Sequence, residues 1–281
     1  MVIWIDVLKN FYMWVVVALG GFLLMGLFYL FRRKNHFQGT HKKDAIVVGL
    51  YAEYKPFEFV NELGEVTGFD VDFVREVARK MNKKVHIKNI SFDSLIPALK
   101  QGEIDIVISG ISITPDRLDH MEMIPYHGKT VRSFALIFWR EVPTQIKTIY
   151  DFKDYLNRRV AVQVGTVQEE FLSKFDFIEP KPMCSMTALI LDVRHGDSIA
   201  AIVKSDMAYS LQSEYPKIKI VEVQLDEKDW VLGDGIGVRK GNKVLADQLK
   251  NIVVHLKTNG VASRVHSKWL KDNCCEDEYR Q

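Results

Sequence analysis

From Ala45 onward, short β-branched runs alternate with amphipathic stretches, and that alternation restricts the chain more than any other feature. Ile46–Leu50, 85–90, Ile104–Ile108, Ser133–Trp139, Val160–Val164 and Ile199–Val203 read as strands. Between them, Asp70–Asn82 places Phe73, Val74, Val77, Ala78 and Met81 on one helical face. A helix carrying Leu95, Ile96, Ala98 and Leu99 starts at Asp93 or Ser94 and closes at Gly102; Pro97 fits only its first turn. Further helices are expected over 149–156, 167–174, Met186–His195 (ended by Gly196), 244–257 and 263–270. Strands interleaved with helices imply α/β layers with mainly parallel pairing.

One strand–turn–helix junction suits chemistry. Ile104-Asp-Ile-Val-Ile108 runs into Ser109-Gly-Ile-Ser112-Ile-Thr-Pro-Asp-Arg117. Thr114 has the character of an N-cap, with Pro115 at the first helical position and Asp116 in the first turn. Two hydroxyls, outward N–H groups and a guanidinium therefore meet at a strand end, a corner that suits a carboxylate. An ordinary strand–turn–helix with a surface Arg fits the same residues.

The N-terminus is different in kind. Phe11 to Phe31 contains no charge, and at about 1.5 Å per residue it would cross the roughly 30 Å hydrocarbon core of a bilayer. Trp4, Tyr12, Trp14 and Tyr29 lie near its ends, where amphipathic rings favour the interface. The run is longer than a signal-peptide core, Ala18-Leu-Gly20 is a poor cleavage site, and no Cys precedes Cys184. An uncleaved membrane helix over 11–31 is the expectation, followed by a basic linker over 32–43. Met13 is a candidate alternative start. Arg32, Arg33 and Lys34 would by the positive-inside rule hold the following domain in the cytoplasm, but long domains often translocate regardless of charge.

Composition excludes other classes. With a net charge of +2 and no basic stripe with interleaved aromatics, nucleic acid is not an expected partner. Cys184, Cys274 and Cys275 make neither a disulfide framework nor a zinc pattern; pairing of Cys184 with the tail and three free thiols both remain open. No metal or cofactor is called for. Residues 273–281 read as a polar tail.

An ordered set of short motifs carries a resemblance. Tyr54-Lys-Pro56-Phe57-Glu58, Gly68-Phe69-Asp70-Val71-Asp72, Ser91-Phe92-Asp93-Ser94, the Ser109–Arg117 junction, Ile124-Pro125-Tyr126, Gly165-Thr166 and Gly233-Asp-Gly235-Ile-Gly237-Val-Arg239 follow one another over residues 44–272. In this order they resemble the polar amino-acid family of extracellular solute-binding proteins (family 3), the receptors of ABC importers. The resemblance implies a two-lobed type II periplasmic-binding-protein fold with two hinge crossovers, near 129–134 and 233–238. Lobe 1 would comprise 44–131 plus 237–272, and lobe 2 would comprise 132–236. It also implies a monomer outside the inner membrane, docking on an ABC permease and holding a small-molecule amino acid between the lobes.

The resemblance further implies site residues. Arg117, Ser112 and Thr166 would take the ligand carboxylate, with Gly165 allowing close approach. Backbone oxygen at Ser109–Gly110, the Ser112 hydroxyl and an Asp just beyond the strand Ile199–Val203 would take the ammonium. Ser205 falls at that Asp position by count, and Asp206 comes one residue late; a bulge would restore it. Tyr54 and Phe92 would sandwich the ligand side chain. Tyr51 stands where binders of basic amino acids tend to carry an acid, and Glu53 lies on the same strand face. With Glu53, Asp93 and Asp206 acidic, the expected ligand is arginine-like or glutamine-like. A membrane-anchored sensor on the same fold is an alternative. A small-carboxylate lyase would need Glu53 or His127 as acid or base, and no His–carboxylate pair or nucleophile motif supports one.

Overall fold

Ala45–Leu50 (β1) buries Ile46, Val48 and Leu50. Glu53–Tyr54 (β2), Glu58–Val60 (β3) and Val66–Thr67 (β4) then make a small antiparallel sheet. Helix Phe69–Lys80, Lys84–Asn89 (β5), helix Phe92–Gln101, Ile106–Val107 (β6), Ser112–Ile113 (β7), helix Pro115–His120 and Met121–His127 (β8) follow. Next come Ser133–Trp139 (β9), Arg159–Gln163 (β10), helix Val167–Leu172, Glu179–Met183 (β11), helix Met186–His195, Ala200–Lys204 (β12), helix Ser205–Glu214 and Ile218–Gln224 (β13). Leu232–Arg239 (β14) leads into helices Lys243–Thr258 and Val261–Trp269.

The structure, a computed structural model, describes residues 44–270. The expected membrane segment 11–31, the linker 32–43, and the tail 273–281 with Cys274 and Cys275 lie outside the described residues. Among the described residues, no helix is long and apolar enough to cross a membrane.

The strands form two large sheets, and with them two lobes. The first has the order β5-β1-β6-β14-β7, with β8 paired to β14; the second has the order β11-β10-β12-β9-β13. The chain therefore crosses between sheets twice, after β8 and after β13. The two crossing segments are bridged at Val131 and Val231, with Val131 N–H donating to Val231 O at 2.7 Å and Val231 N–H returning at 3.3 Å. β14 belongs whole to the first sheet, from Leu232 opposite Ile113 to Arg239 opposite Met121.

Pairing is mixed rather than mainly parallel. β1 is parallel to β5 and β6, and β10 to β11 and β12. β14 pairs antiparallel with β6, and β9 pairs antiparallel with both β12 and β13. The strand expected over Ile104–Ile108 shrinks to Ile106–Val107, since the Asp105 carboxylate takes the Val47 N–H at 2.8 Å and Gly110 turns the chain at φ 53°. The helix expected over 149–156 is a 3-10 turn, Ile149–Asp154, closed by a Thr148–Asp151 capping box.

Helix Phe69–Lys80 shows why glycine precedes it. Gly68 has φ 131°, and a Cβ there would lie 2.1 Å from Phe57 O. That tight approach buries Phe69, Asp70, Phe73, Val74 and Val77 against the first sheet. The carboxyl ends of β1, β6 and β10 point toward the space between the lobes, where α/β folds bind ligands.

Candidate functional site

The first lobe's wall is the turn after β6. Ser109 donates its hydroxyl to Glu58 Oε1 at 2.7 Å and accepts the Tyr51 N–H at 3.0 Å. The Gly110 N–H reaches Asp70 Oδ2 at 3.2 Å. Thr114 caps the helix Pro115–His120 as expected, accepting the Arg117 N–H at 3.3 Å. Arg117 is 4% exposed; its Nη1 donates to Ser112 O and its Nη2 to Gly165 O, both at 2.9 Å. The guanidinium thus joins both lobes and keeps further N–H groups for a ligand.

The second lobe's wall is the turn after β10. Gly165 has φ 77°, and a Cβ there would lie 3.3 Å from Asp93 Cα across the cleft. Thr166 caps the helix Val167–Leu172 by accepting the Glu169 N–H at 3.3 Å, and donates its hydroxyl to Gln163 O at 2.7 Å. Its hydroxyl is committed to its own turn. Gln163 Nε2 and Gln168 Nε2 are buried donors with no protein partner.

These walls line a cavity with Tyr51, Glu53, Tyr54, Glu58, Phe92, Ser109, Gly110, Ser112, Arg117, Thr166, Met186 and Lys204 around it. Glu53 Oε2 accepts the N–H groups of Met186 at 2.9 Å and Thr187 at 3.2 Å, the start of a helix in the other lobe. Tyr51 Oη also lies 3.2 Å from the Met186 N–H. Burial, then Glu53, pushes the Tyr51 phenol well above its usual range.

Eight expected residues therefore come together: Glu53, Tyr54, Phe92, Ser109, Gly110, Ser112, Arg117 and Thr166. Asp206 does not line the cavity. β12 pairs with β9 in unbroken register from Ala201–Ile137 to Lys204–Phe134, so no bulge moves Asp206 into place. A helix begins at Ser205, and Asp206 in its first turn accepts Tyr54 Oη–H at 2.6 Å and the Met207 N–H at 2.7 Å. Lys204, which the sequence reading did not place in the site, points into the cleft instead. Its Nζ donates to Gly110 O at 2.8 Å and to Asp234 Oδ1 at 2.5 Å. His127, the other acid–base candidate, packs against Phe57, Phe69 and His266, and burial lowers its pKa to about 4. Cys184 is an exposed free thiol.

Behind the wall lies a buried carboxyl pair, Glu58 and Asp70, which the sequence reading left unpaired. Tyr126 Oη–H donates to Asp70 Oδ1 at 2.7 Å. Glu58 Oε2 has no donor of its own and faces Asp70, as an oxygen carrying the shared proton would. Burial raises Asp70 to about 7 and Glu58 well above the carboxylate range, Asp70's charge adding to the latter. The stability this protonated pair contributes is complete below the ordinary carboxylate range, near about 4, and is lost as pH rises through about 7. Glu58→Gln keeps an acceptor for Ser109 and a donor for Asp70 but removes one titrating group. The variant's urea midpoint should fall less between pH values of about 4 and 7.5 than the wild type's. Equal falls in the two proteins would show that the pair does not share a proton.

Three comparisons with known proteins bear on the site. The sequence model of the bacterial extracellular solute-binding proteins, family 3, matches residues 46–272. A probable ABC transporter arginine-binding protein, ArtJ of Chlamydia trachomatis serovar D, is 37% identical over 235 residues, 84% of this chain and 89% of the relative. Among solved structures, an ancestral arginine-binding protein bound to arginine superposes with a TM-score of 0.74 at 28% identity, over 82% of this chain and 100% of that one. An ancestral arginine-binding protein bound to glutamine gives a TM-score of 0.74 at 27% identity, over 83% and 100%. The family comprises substrate-binding components of ABC transporters, not enzymes, and works outside the cytoplasm. On the matched length, the two-lobed fold and the identity to its members, this chain belongs to the family 3 bacterial extracellular solute-binding proteins.

Proposed function

We propose that the chain is the receptor of an ABC importer. It captures a polar amino acid, arginine-like or glutamine-like, in the interlobe cavity and presents it, as a monomer, to a membrane permease. One observation carries this reading: a buried guanidinium, Arg117, bridges Ser112 O and Gly165 O across the cleft beside the unpartnered amides of Gln163 and Gln168. Such a set of donors is matched by a carboxylate. The names of the relatives, which bind arginine or hold glutamine, support the side-chain class. Closure follows from bending at the Val131–Val231 crossing, with lobe 1 formed by 44–131 and the segment from Leu232, and lobe 2 by the residues between.

Residues 11–31 tether the receptor to the outer face of the inner membrane in this reading, on the strength of their uncharged, aromatic-flanked sequence.

Titration calorimetry of the full-length chain against the twenty amino acids tests the ligand class. Arg117→Ala should weaken the wild type's ligand by about 2–5 kcal/mol, since the carboxylate stays desolvated without its fork. Unchanged affinity in a folded variant would remove Arg117 from the site. Asp206→Asn should change affinity by at most about 1.5 kcal/mol, the scale of one hydrogen bond to Tyr54. A larger loss would return Asp206 to the ammonium. For the tether, protease added to osmotically opened cells should digest the domain and leave a membrane-bound stub. A protected domain, or a soluble form starting beyond residue 34, would overturn it.

A further inference from the structure

Glu53 is an acid on the cavity wall with no basic partner among the described residues. It lies on β2 in the first lobe, and its Oε2 reaches across the cleft to the second. There it accepts the N–H groups of Met186 at 2.9 Å and Thr187 at 3.2 Å, in the first turn of the helix Met186–His195. The Tyr51 phenol stands beside the same carboxylate. Basic side chains in the neighbourhood are engaged by other acids. Lys55, two residues further along the chain, pairs with Glu214 at 3.6 Å, and Lys204 pairs with Asp234 at 2.5 Å. Two N–H groups at a helix end offset only part of a full negative charge, about half a unit.

The place of Glu53 in the fold sets which part of a ligand it meets. The turn carrying Tyr51 and Glu53 follows β1. The order β1-β6-β14-β7 puts that turn three strands away from Ser112 on β7, whose carbonyl holds Arg117. In the second sheet, Met186 follows β11, whereas Gly165, the other carbonyl on Arg117, follows β10. Glu53 and the Arg117 fork therefore mark different ends of the cavity. Tyr51, Glu53 and Met186 also line an outer groove with Lys55, Phe59 and Tyr215, so the acid belongs to an end wall. In an amino acid the ammonium sits on the carbon next to the carboxylate, and the side chain extends away from both. With the carboxylate on Arg117, the group that arrives at Glu53 is the far end of the side chain. A carboxylate partly withdrawn from water favours a cation at that point over a neutral group.

We propose that Glu53 is a specificity-determining residue of the cleft: its carboxylate, fixed by N–H groups of the opposite lobe, takes the positively charged end of the ligand side chain. The same side chain thus reads the ligand's charge and ties one lobe to the other. The receptor selects an arginine-like amino acid over neutral side chains of equal shape, the glutamine-like class included. This rests on the amino-acid reading of the cavity given above and narrows it.

The test uses the full-length chain, titrated by calorimetry with arginine, citrulline and glutamine. Citrulline keeps the length, the flat end group and the ammonium and carboxylate of arginine, and lacks only the side-chain charge. The wild type should bind arginine at least about tenfold more tightly than citrulline or glutamine. Glu53→Gln keeps an oxygen acceptor for the Met186 and Thr187 N–H groups and removes the charge. In that variant arginine should fall to within about threefold of citrulline, with citrulline itself little changed. Circular dichroism checks that the variant folds, and the wild-type order is read without it. Equal weakening of arginine and citrulline in Glu53→Gln would mean that Glu53 serves the shared ammonium or closure alone, and overturns the proposal. So does a variant that keeps the wild-type gap, or a wild type that binds citrulline or glutamine as tightly as arginine; each leaves the amino-acid reading intact. Binding of none of the three compounds overturns both.

Discussion

The buried guanidinium of Arg117 is the joint on which the cleft depends. Removing a cation from water is costly unless hydrogen bonds replace the lost hydration. Here burial pulls the group below its usual pKa, opposed by the charges of Glu170, Asp234 and Asp116, while two backbone carbonyls accept its N–H groups. One carbonyl belongs to each lobe. The guanidinium is held in a fixed plane by a helix whose cap, Thr114, is set by a turn whose hydroxyl, Ser109, is set by Glu58. A chain of short-range preferences thus aims one rigid fork into the cavity.

Several other contacts across the cleft are polar as well. Tyr54 meets Asp206, Glu53 meets the N–H groups of Met186 and Thr187, Ser210 meets Lys55 O, and Lys204 meets Gly110 and Asp234. Polar contacts exchange with water at little net cost, whereas a broad apolar interface would hold the lobes together permanently. Large aromatic side chains pack against each sheet, Phe69 and Phe73 in the first lobe and Phe134, Phe138 and Phe152 in the second, while Tyr54 and Phe57 belong to the same apolar cluster as Met186 and Met207.

Much of this was legible in the sequence where local chemistry decides conformation. Thr114-Pro115, Gly102 and Gly196 mark helix ends by capping and left-handed backbone, and the structure has those ends. Where long-range pairing decides, the sequence was opaque. β11 carries Pro180 and Pro182, which disfavour a strand, yet it is an edge strand where missing donors cost little. Helix Ser205–Glu214 has a mixed polar pattern that hides its apolar face. The Glu58–Asp70 pair comes from different elements that only the fold brings together, and the register of β12 depends on its hydrogen bonding to β9.

That register has consequences beyond geometry. Because β12 runs without a bulge to Lys204, the side chain that reaches the cavity is cationic, and Asp234 on β14 balances it from the other lobe. A withdrawn ion pair is weak evidence for stability, since its Coulomb attraction is largely offset by desolvation. What the pair does set is the distribution of charge at the cavity wall, where a cation from one lobe meets an anion from the other. The fold and the Arg117 fork can be common to receptors that differ at this one pair, because neither depends on it for packing. Likeness along the whole chain therefore establishes the family, while the chemistry of the bound molecule is decided by a few side chains at the strand ends.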